Sequence, residues 1–167
     1  MQNKKNIAKS DTIYYDFNRK LNWKDFQGTP DMTSPAGAMT ASGFAFNSQM
    51  NSDGNSVNLS IGVYVYFTKN DSWKKANINS EYHLLHEQHH FDITELSAEK
   101  LITELQEARF TRSNYNVLMN SIFDKAFNDN LIMQQQYDKE TKNSIDIKKQ
   151  LEWNDKIAAE IKELQMN

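Results

Sequence analysis

The sequence lacks cysteine altogether and contains only two prolines and five glycines in 167 residues. Without cysteine the fold has no disulfide bonds, and any bound metal must be held by histidine, aspartate or glutamate. Both prolines precede residue 36, and neither proline nor glycine occurs from residue 75 onward. Because these residues are the main breakers of helices, their absence favours long uninterrupted helices in the second half of the chain.

Two further absences exclude classes of partner and location. The net charge of −3 leaves no basic excess, which argues against a nucleic-acid partner. No apolar run approaches the roughly 18–20 residues that a membrane-spanning helix needs, so we expect no transmembrane segment. The first residues, MQNKKNIAKS, lack the apolar middle region of a signal peptide. We therefore expect either a cytosolic protein or one from which a signal has been removed.

The first half of the chain has the periodicity of strands. Residues 1–10 are polar and aperiodic and are expected to form a flexible lead-in. The aromatic segment 12–18 predicts a first strand. Segments 36–48 and 56–70, separated by a polar turn, predict a hairpin, and apolar residues alternate without interruption along the second of them. If it lay at the sheet edge, this strand would hold an extended substrate by backbone pairing.

The second half has the periodicity of helices. Apolar residues recur at helical spacing over three segments, from about 80 to 109, from about 114 to 141, and from about 145 onward. Strands followed by helices predict an α+β fold, a small antiparallel sheet followed by three helices. We expect residues 11–167 to form a single domain, with helices packed on one face of the sheet.

All four histidines fall within residues 81–95, in EYHLLHEQHHFDITE, inside the first predicted helix. The segment from His86 to His90 has the form HExxH. Residues four apart on a helix lie one turn above each other, so both imidazoles can reach one ion. Glu87, turned about 100° from His86, is placed to activate a zinc-bound water. The motif predicts a catalytic-type zinc site; the alternative is a solvated histidine cluster that binds metal adventitiously.

A catalytic zinc normally has three protein ligands, and the spacing leaves the third open. His83 shares the helix face, but it lies about 10 Å along the axis from His90, so chelation by all three histidines would be strained. A ligand from another element is therefore expected. Segment 134–141, QQQYDKET, offers Asp138 and Glu140 beside an apolar stripe.

Five sequence segments together resemble a known family. In chain order they are LNWKDFQGTPD, AMTASGFAF, VYVYFTKNDSW, HEQHHFDITE and MQQQYDKET, and the resemblance covers the chain from about Tyr14 to Trp153. This series resembles the DUF922 family of bacterial proteins, proposed to be secreted zinc-dependent proteases. The resemblance implies a zincin-like metallopeptidase domain, a Zn²⁺ cofactor, and a secreted, periplasmic or cell-envelope location.

The resemblance also assigns roles to individual residues. It implies zinc on His86 and His90, with Glu87 as the base, and it makes the YDxET segment part of the site through Tyr137, Asp138 and Glu140. Family members often carry a histidine shortly after YDxET, where this chain has residues 142–144, KNS. We therefore predict Asp138 as the third ligand. Tyr137 is expected to pack in the core or to hydrogen-bond a transition-state oxyanion.

These patterns predict a monomeric zinc metallopeptidase that acts on a peptide or protein substrate. Two alternatives stay open. The same residues would serve a zinc amidohydrolase acting on cell-wall peptides. The second alternative is a non-catalytic envelope protein whose metal site is structural or degenerate. Three protein ligands beside an opening would favour an enzyme, whereas four protein ligands without an opening would favour a structural site.

Overall fold

The computed structural model describes residues 11–52 and 57–166, so the predicted lead-in of residues 1–10 lies outside the described residues. Within the described residues, five strands precede three α-helices. They are β1 (Thr12–Tyr14), β2 (Ala38–Met39), β3 (Ser42–Ser52), β4 (Val57–Thr68), β5 (Trp73–Lys74), α1 (Glu81–Glu107), α2 (Tyr115–Thr141) and α3 (Ile147–Leu164). The predicted α+β fold, a small antiparallel sheet followed by three helices, is confirmed.

The main sheet is built on the predicted hairpin. β3 and β4 pair antiparallel along their whole length, from Ser42 opposite Phe67 to Ser52 opposite Val57. β1 pairs antiparallel with the end of β4, which gives the strand order β1-β4-β3. β4 is therefore the middle strand where β1 pairs with it, at Tyr66, Phe67 and Thr68, and the expectation that it forms a substrate-binding edge is wrong for that part of the strand. β2 and β5 form a separate two-stranded sheet.

Helix α1 lies between the sheet and the other two helices, so it is buried on two sides. Phe91 and Leu101 pack with the sheet residue Phe67 in one apolar cluster. Ile93 belongs to a second cluster, which includes Ile157 of α3. A fully buried side chain of this size contributes about 1.5–3 kcal/mol. Because both sides are covered, most polar residues of the HExxH segment are buried as well. A solvated histidine face is therefore excluded.

Local hydrogen bonds fix the helix ends near the motif. Ser80 caps α1, and its hydroxyl accepts a hydrogen bond from the backbone N–H of His83 at 3.2 Å. α2 ends in three consecutive residues with left-handed backbone, Lys142 (φ 52°), Asn143 (φ 52°) and Ser144 (φ 70°). Each costs about 1–2 kcal/mol in a residue with a side chain. The Tyr82 hydroxyl, which donates to the Ser144 carbonyl at 2.7 Å, helps to hold this reversal.

Within residues 11–52 and 57–166, no helix combines the length and apolarity that crossing a membrane requires.

Candidate metal centre

Three side chains from two helices converge on one point. The Nε2 atoms of His86 and His90 lie 3.3 Å apart. Oδ1 of Asp138 lies 3.2 Å from the first and 3.0 Å from the second. Among the described residues, these three form the group that could hold a metal ion. The predicted pairing of the two histidines, with Asp138 as the third member, is therefore found in the structure.

The antiparallel packing of α1 and α2 brings Asp138 to the histidines. Ser97 of α1 donates a hydrogen bond to Asn130 of α2 at 3.2 Å. His90 lies two turns closer to the start of α1 than Ser97, and His86 lies one turn closer still. Both face Asp138, which follows Asn130 by eight residues on α2. Residue numbers thus rise along α2 as they fall along α1. The metal group sits where the first half of α1 meets the last turns of α2.

Two glutamine side chains orient the imidazole rings. Nδ1 of His86 donates to Oε1 of Gln150 at 2.8 Å, and Nδ1 of His90 donates to Oε1 of Gln134. The amide nitrogen of Gln134 donates to the backbone carbonyl of His90 at 2.9 Å, which directs its oxygen towards the ring. The amide nitrogen of Gln150 donates to the Tyr137 hydroxyl at 2.6 Å. Both histidines are thus held with Nδ1 protonated and Nε2 directed at the metal group.

A cation would stabilise this arrangement. A neutral histidine that donates from Nδ1 presents the lone pair of Nε2, so two lone pairs and a carboxylate oxygen face one another. Their repulsion is relieved by a proton or by a metal ion between them. Burial lowers the pKa of His90, but the hydrogen bond to Asp138 and its charge outweigh this and raise it to about 9. Burial raises the pKa of Asp138, but in the metal-free site hydrogen bonds from His86 and His90, when these are protonated, hold it well below its usual range.

The donor set and its spacing fit a divalent transition metal. Two imidazole nitrogens and one carboxylate oxygen are a donor set of catalytic zinc sites. Ligand atoms held tetrahedrally at about 2.0–2.2 Å from zinc lie about 3.3–3.6 Å from one another. The observed separations of 3.0, 3.2 and 3.3 Å are within a few tenths of an ångström of that spacing. Small movements of the side chains would accommodate the ion.

Glu87 lies beside the three candidate metal ligands, His86, His90 and Asp138, but is not one of them. It lines the same cavity of about 290 Å³ as His86, His90 and Asp138. It is only 4% exposed. The Thr40 hydroxyl donates to Oε2 of Glu87 at 2.8 Å and also lies 3.0 Å from its backbone carbonyl. The predicted base is thus a buried carboxylate in the cavity, held by a residue from the strand side.

Tyr137 does not occupy the predicted catalytic position. Its side chain is fully buried. The ring stacks on the His86 imidazole, with centroids 4.6 Å apart and planes 22° apart. Burial raises the pKa of the hydroxyl far above its usual range. The residue does not line the cavity, so the structure agrees with the expectation that Tyr137 packs in the core and gives no support for contact with a reacting oxyanion. Tyr137 supports the His86 ring from behind.

The other two candidate ligands lie elsewhere. Oε2 of Glu140 accepts a hydrogen bond from the indole N–H of Trp153 at 2.9 Å, on the α3 side of α2. His83 lines the cavity, and its Nδ1 lies 2.6 Å from the Ser80 hydroxyl at the start of α1. Of the three ligands that sequence left open, the structure selects Asp138.

Sequence reasoning missed the three residues that orient the site, Thr40, Gln134 and Gln150. Gln134 precedes Asp138 by one helical turn, so its position on the same face of α2 could have been recognised. Thr40 and Gln150 come from distant elements, and no local pattern indicates them. A polar residue that orients a ligand is chosen by its neighbours in space, which spacing along the chain does not reveal.

We expect Gln150→Leu and Gln134→Leu each to weaken zinc binding about 10–100-fold, because each removes the acceptor that fixes a ligand tautomer. Competition with a chromogenic chelator measures the affinity. Gln135→Leu is the matched control, because Gln135 is exposed on the same helix. Affinities equal to the control in both variants would show that the glutamines do not orient the ligands.

No family model, curated protein or solved structure matches this chain. The resemblance to DUF922 proteins, together with the secreted location that it implies, therefore stays a prediction.

Proposed function

We propose that this protein is a zinc-dependent peptide hydrolase in which His86, His90 and Asp138 hold the metal and Glu87 acts as general base. One observation carries the proposal: three lone-pair donors within 3.3 Å of one another border a cavity that a buried carboxylate also lines. Sites of metal-assisted hydrolysis combine these two features, a ligand set and an adjacent base.

The chain's own residues would perform the proton transfers. Zinc, when bound, supplies a Lewis acid that polarises a carbonyl and makes water a better nucleophile. Glu87 takes a proton from the attacking water and later donates it to the leaving amine. Thr40 binds one oxygen of that carboxylate, so the other is free to face the water. Asp138 offsets one of the two positive charges of the metal.

The number of ligands favours an enzyme over a structural metal site. Among the residues that the structure describes, the ligand group has three members rather than four. Structural zinc sites are normally closed by four protein ligands, whereas catalytic sites keep one position for water or substrate. A cavity beside the group supplies room for that position. Hydrolysis of a cell-wall peptide amide would use the same residues. The identity of the substrate therefore distinguishes a peptidase from a cell-wall amidohydrolase.

We expect metal-stripped protein to bind one zinc ion per chain and to gain hydrolytic activity in proportion to the zinc bound. The measurement is isothermal titration, followed by assays on unfolded protein, fluorogenic peptides and cell-wall peptides. A strong chelator should remove the activity, and added zinc should restore it. Stoichiometric zinc binding without hydrolysis of any substrate class would favour a structural site. Activity that survives removal of the metal would reject the proposal.

A further inference from the structure

The cavity that contains the metal group continues along one face of α2. Five residues of this helix line it, at the positions i, i+3, i+4, i+7 and i+11 that share one helix face; they are Phe127, Asn130, Leu131, Gln134 and Asp138. At the end away from the metal, Phe127 is 57% exposed and Leu131 is 44% exposed. These two side chains form an apolar surface in the same groove as the metal ligand, which we call the apolar arm.

The opposite part of the cavity differs in character. His83, Asn143 and Ser144 line it and carry polar groups. Met39, from the strand side, is 40% exposed and lines the cavity as well. A ligand that spans the cavity therefore meets these polar groups on one side of the metal ligands. Along α2 it meets the apolar side chains of Leu131 and Phe127, interspersed with the polar ones of Asn130 and Gln134.

The spacing of the apolar arm matches that of an extended peptide. Leu131 and Phe127 are four residues apart, which is about 6 Å along a helix axis. Alternate residues of an extended chain lie on the same side, about 6.6–6.8 Å apart. Leu131 precedes Asp138 by seven residues, or about 10 Å, which an extended chain covers in about three residues. Phe127 is about 16 Å from Asp138, or about five residues of extended chain.

We propose that the substrate is an extended peptide with bulky apolar side chains at the third and fifth residues from the scissile bond, seated on Leu131 and Phe127. This inference rests on the proposed function, because the metal defines where the scissile bond lies. The side chains at the intervening position point away from α2 and are not selected. Leu131 and Phe127 are thus specificity-determining residues at a distance from the reacting atoms.

The test uses zinc-loaded protein and three peptides of one length. The first has leucines at the third and fifth positions from a central bond, the second has leucines at the fourth and sixth, and the third has serines throughout. Each of the two leucine peptides is made in two forms, one with the leucine pair before the central bond and one with the pair after it. We expect the first peptide of one series to be cleaved at the central bond, with kcat/KM roughly tenfold or more above the others.

Variants connect this preference to the two residues. Leu131→Ser and Phe127→Ser should each reduce the preference by roughly tenfold, mainly through KM, without changing zinc affinity. Ile132→Ser is the matched control, because Ile132 is 61% exposed beside Leu131 but does not line the cavity. Equal cleavage of all three peptides, or equal effects of the Leu131 and Ile132 variants, would overturn the inference and leave the proposed function intact.

If the wild-type protein cleaves none of these peptides, cleavage of this substrate class is rejected, and the substrate assays described above decide the hydrolase proposal separately. The apolar arm is then tested through peptide binding without cleavage. Calorimetry measures the affinity of the same peptides for zinc-loaded Glu87→Gln protein. Tighter binding of the first peptide supports the arm, and equal or absent binding rejects it. Sedimentation measures the oligomeric state of the protein. A dimer that the Phe127→Ser substitution dissociates would show that a second copy of the chain, rather than a peptide, covers this surface.

Discussion

Replacing Glu87 with glutamine is expected to reduce hydrolysis by about 10²–10⁴-fold while zinc binding stays at one ion per chain. Glutamine keeps the size of the side chain and can still meet the Thr40 hydroxyl, which lies 2.8 Å from Oε2 of Glu87. It cannot accept a proton from water, so the loss falls on the chemical step. The measurement is kcat under saturating substrate, with zinc content determined by atomic absorption on the same sample.

Thr40→Val provides a graded comparison for this variant. It leaves the carboxylate in place but removes the donor that orients it, so we expect a smaller loss of kcat than in Glu87→Gln. Both variants should keep the zinc affinity of the wild type, because neither residue belongs to the ligand group. Full activity in Glu87→Gln would mean that another group is the base. Loss of zinc from that variant would mean that Glu87 helps to hold the metal.

Replacing Asp138 with alanine is expected to lower zinc affinity by more than the 10–100-fold cost of removing a residue that orients a ligand. The variant keeps two imidazoles but loses the one anionic ligand. Zinc at a hundred times its dissociation constant stabilises a folded protein by about 2.7 kcal/mol. At a zinc concentration that raises the melting temperature of the wild type, Asp138→Ala should therefore show little or no rise.

Glu140→Ala is the matched control for this second variant. It removes a carboxylate two residues away, one that accepts from the Trp153 indole instead of facing the histidines. We expect it to change the stability of the fold slightly and to keep the response to zinc. If Glu140→Ala lost zinc while Asp138→Ala retained it, the assignment of the third ligand would be reversed. His86→Ala should behave like Asp138→Ala, because it removes a ligand from the same group.

The sequence by itself determined the order of elements and the core of the motif. Pro and Gly are absent from residue 75 onward, and a capping Ser80 precedes the histidines, so a long first helix follows from local energetics. Within one helix, the geometry of residues four apart is fixed by the backbone. The pairing of His86 with His90, and the place of Glu87 beside them, could therefore be predicted before any tertiary contact was known.

Only the tertiary structure decided how the neighbouring residues of α2 divide their roles. Tyr137 and Asp138 are adjacent in sequence, yet the first is fully buried behind His86 and the second faces both imidazoles. Adjacent helix positions differ by about 100°, so the rotation of α2 about its own axis decides which of the two faces the imidazoles. That rotation depends on how α1, α2 and α3 pack together.

The same reason explains why Thr40 and Gln150 were not foreseen. Thr40 lies 47 residues before Glu87, and Gln150 lies 64 residues after His86. No periodicity links positions so far apart, because their contact exists only once the sheet and α3 have packed on α1. The sequence determined which groups can bind a metal and accept a proton. The packing of the helices decided which of them meet, since the convergence of the three ligand side chains is a property of α1 and α2 together and of neither helix alone.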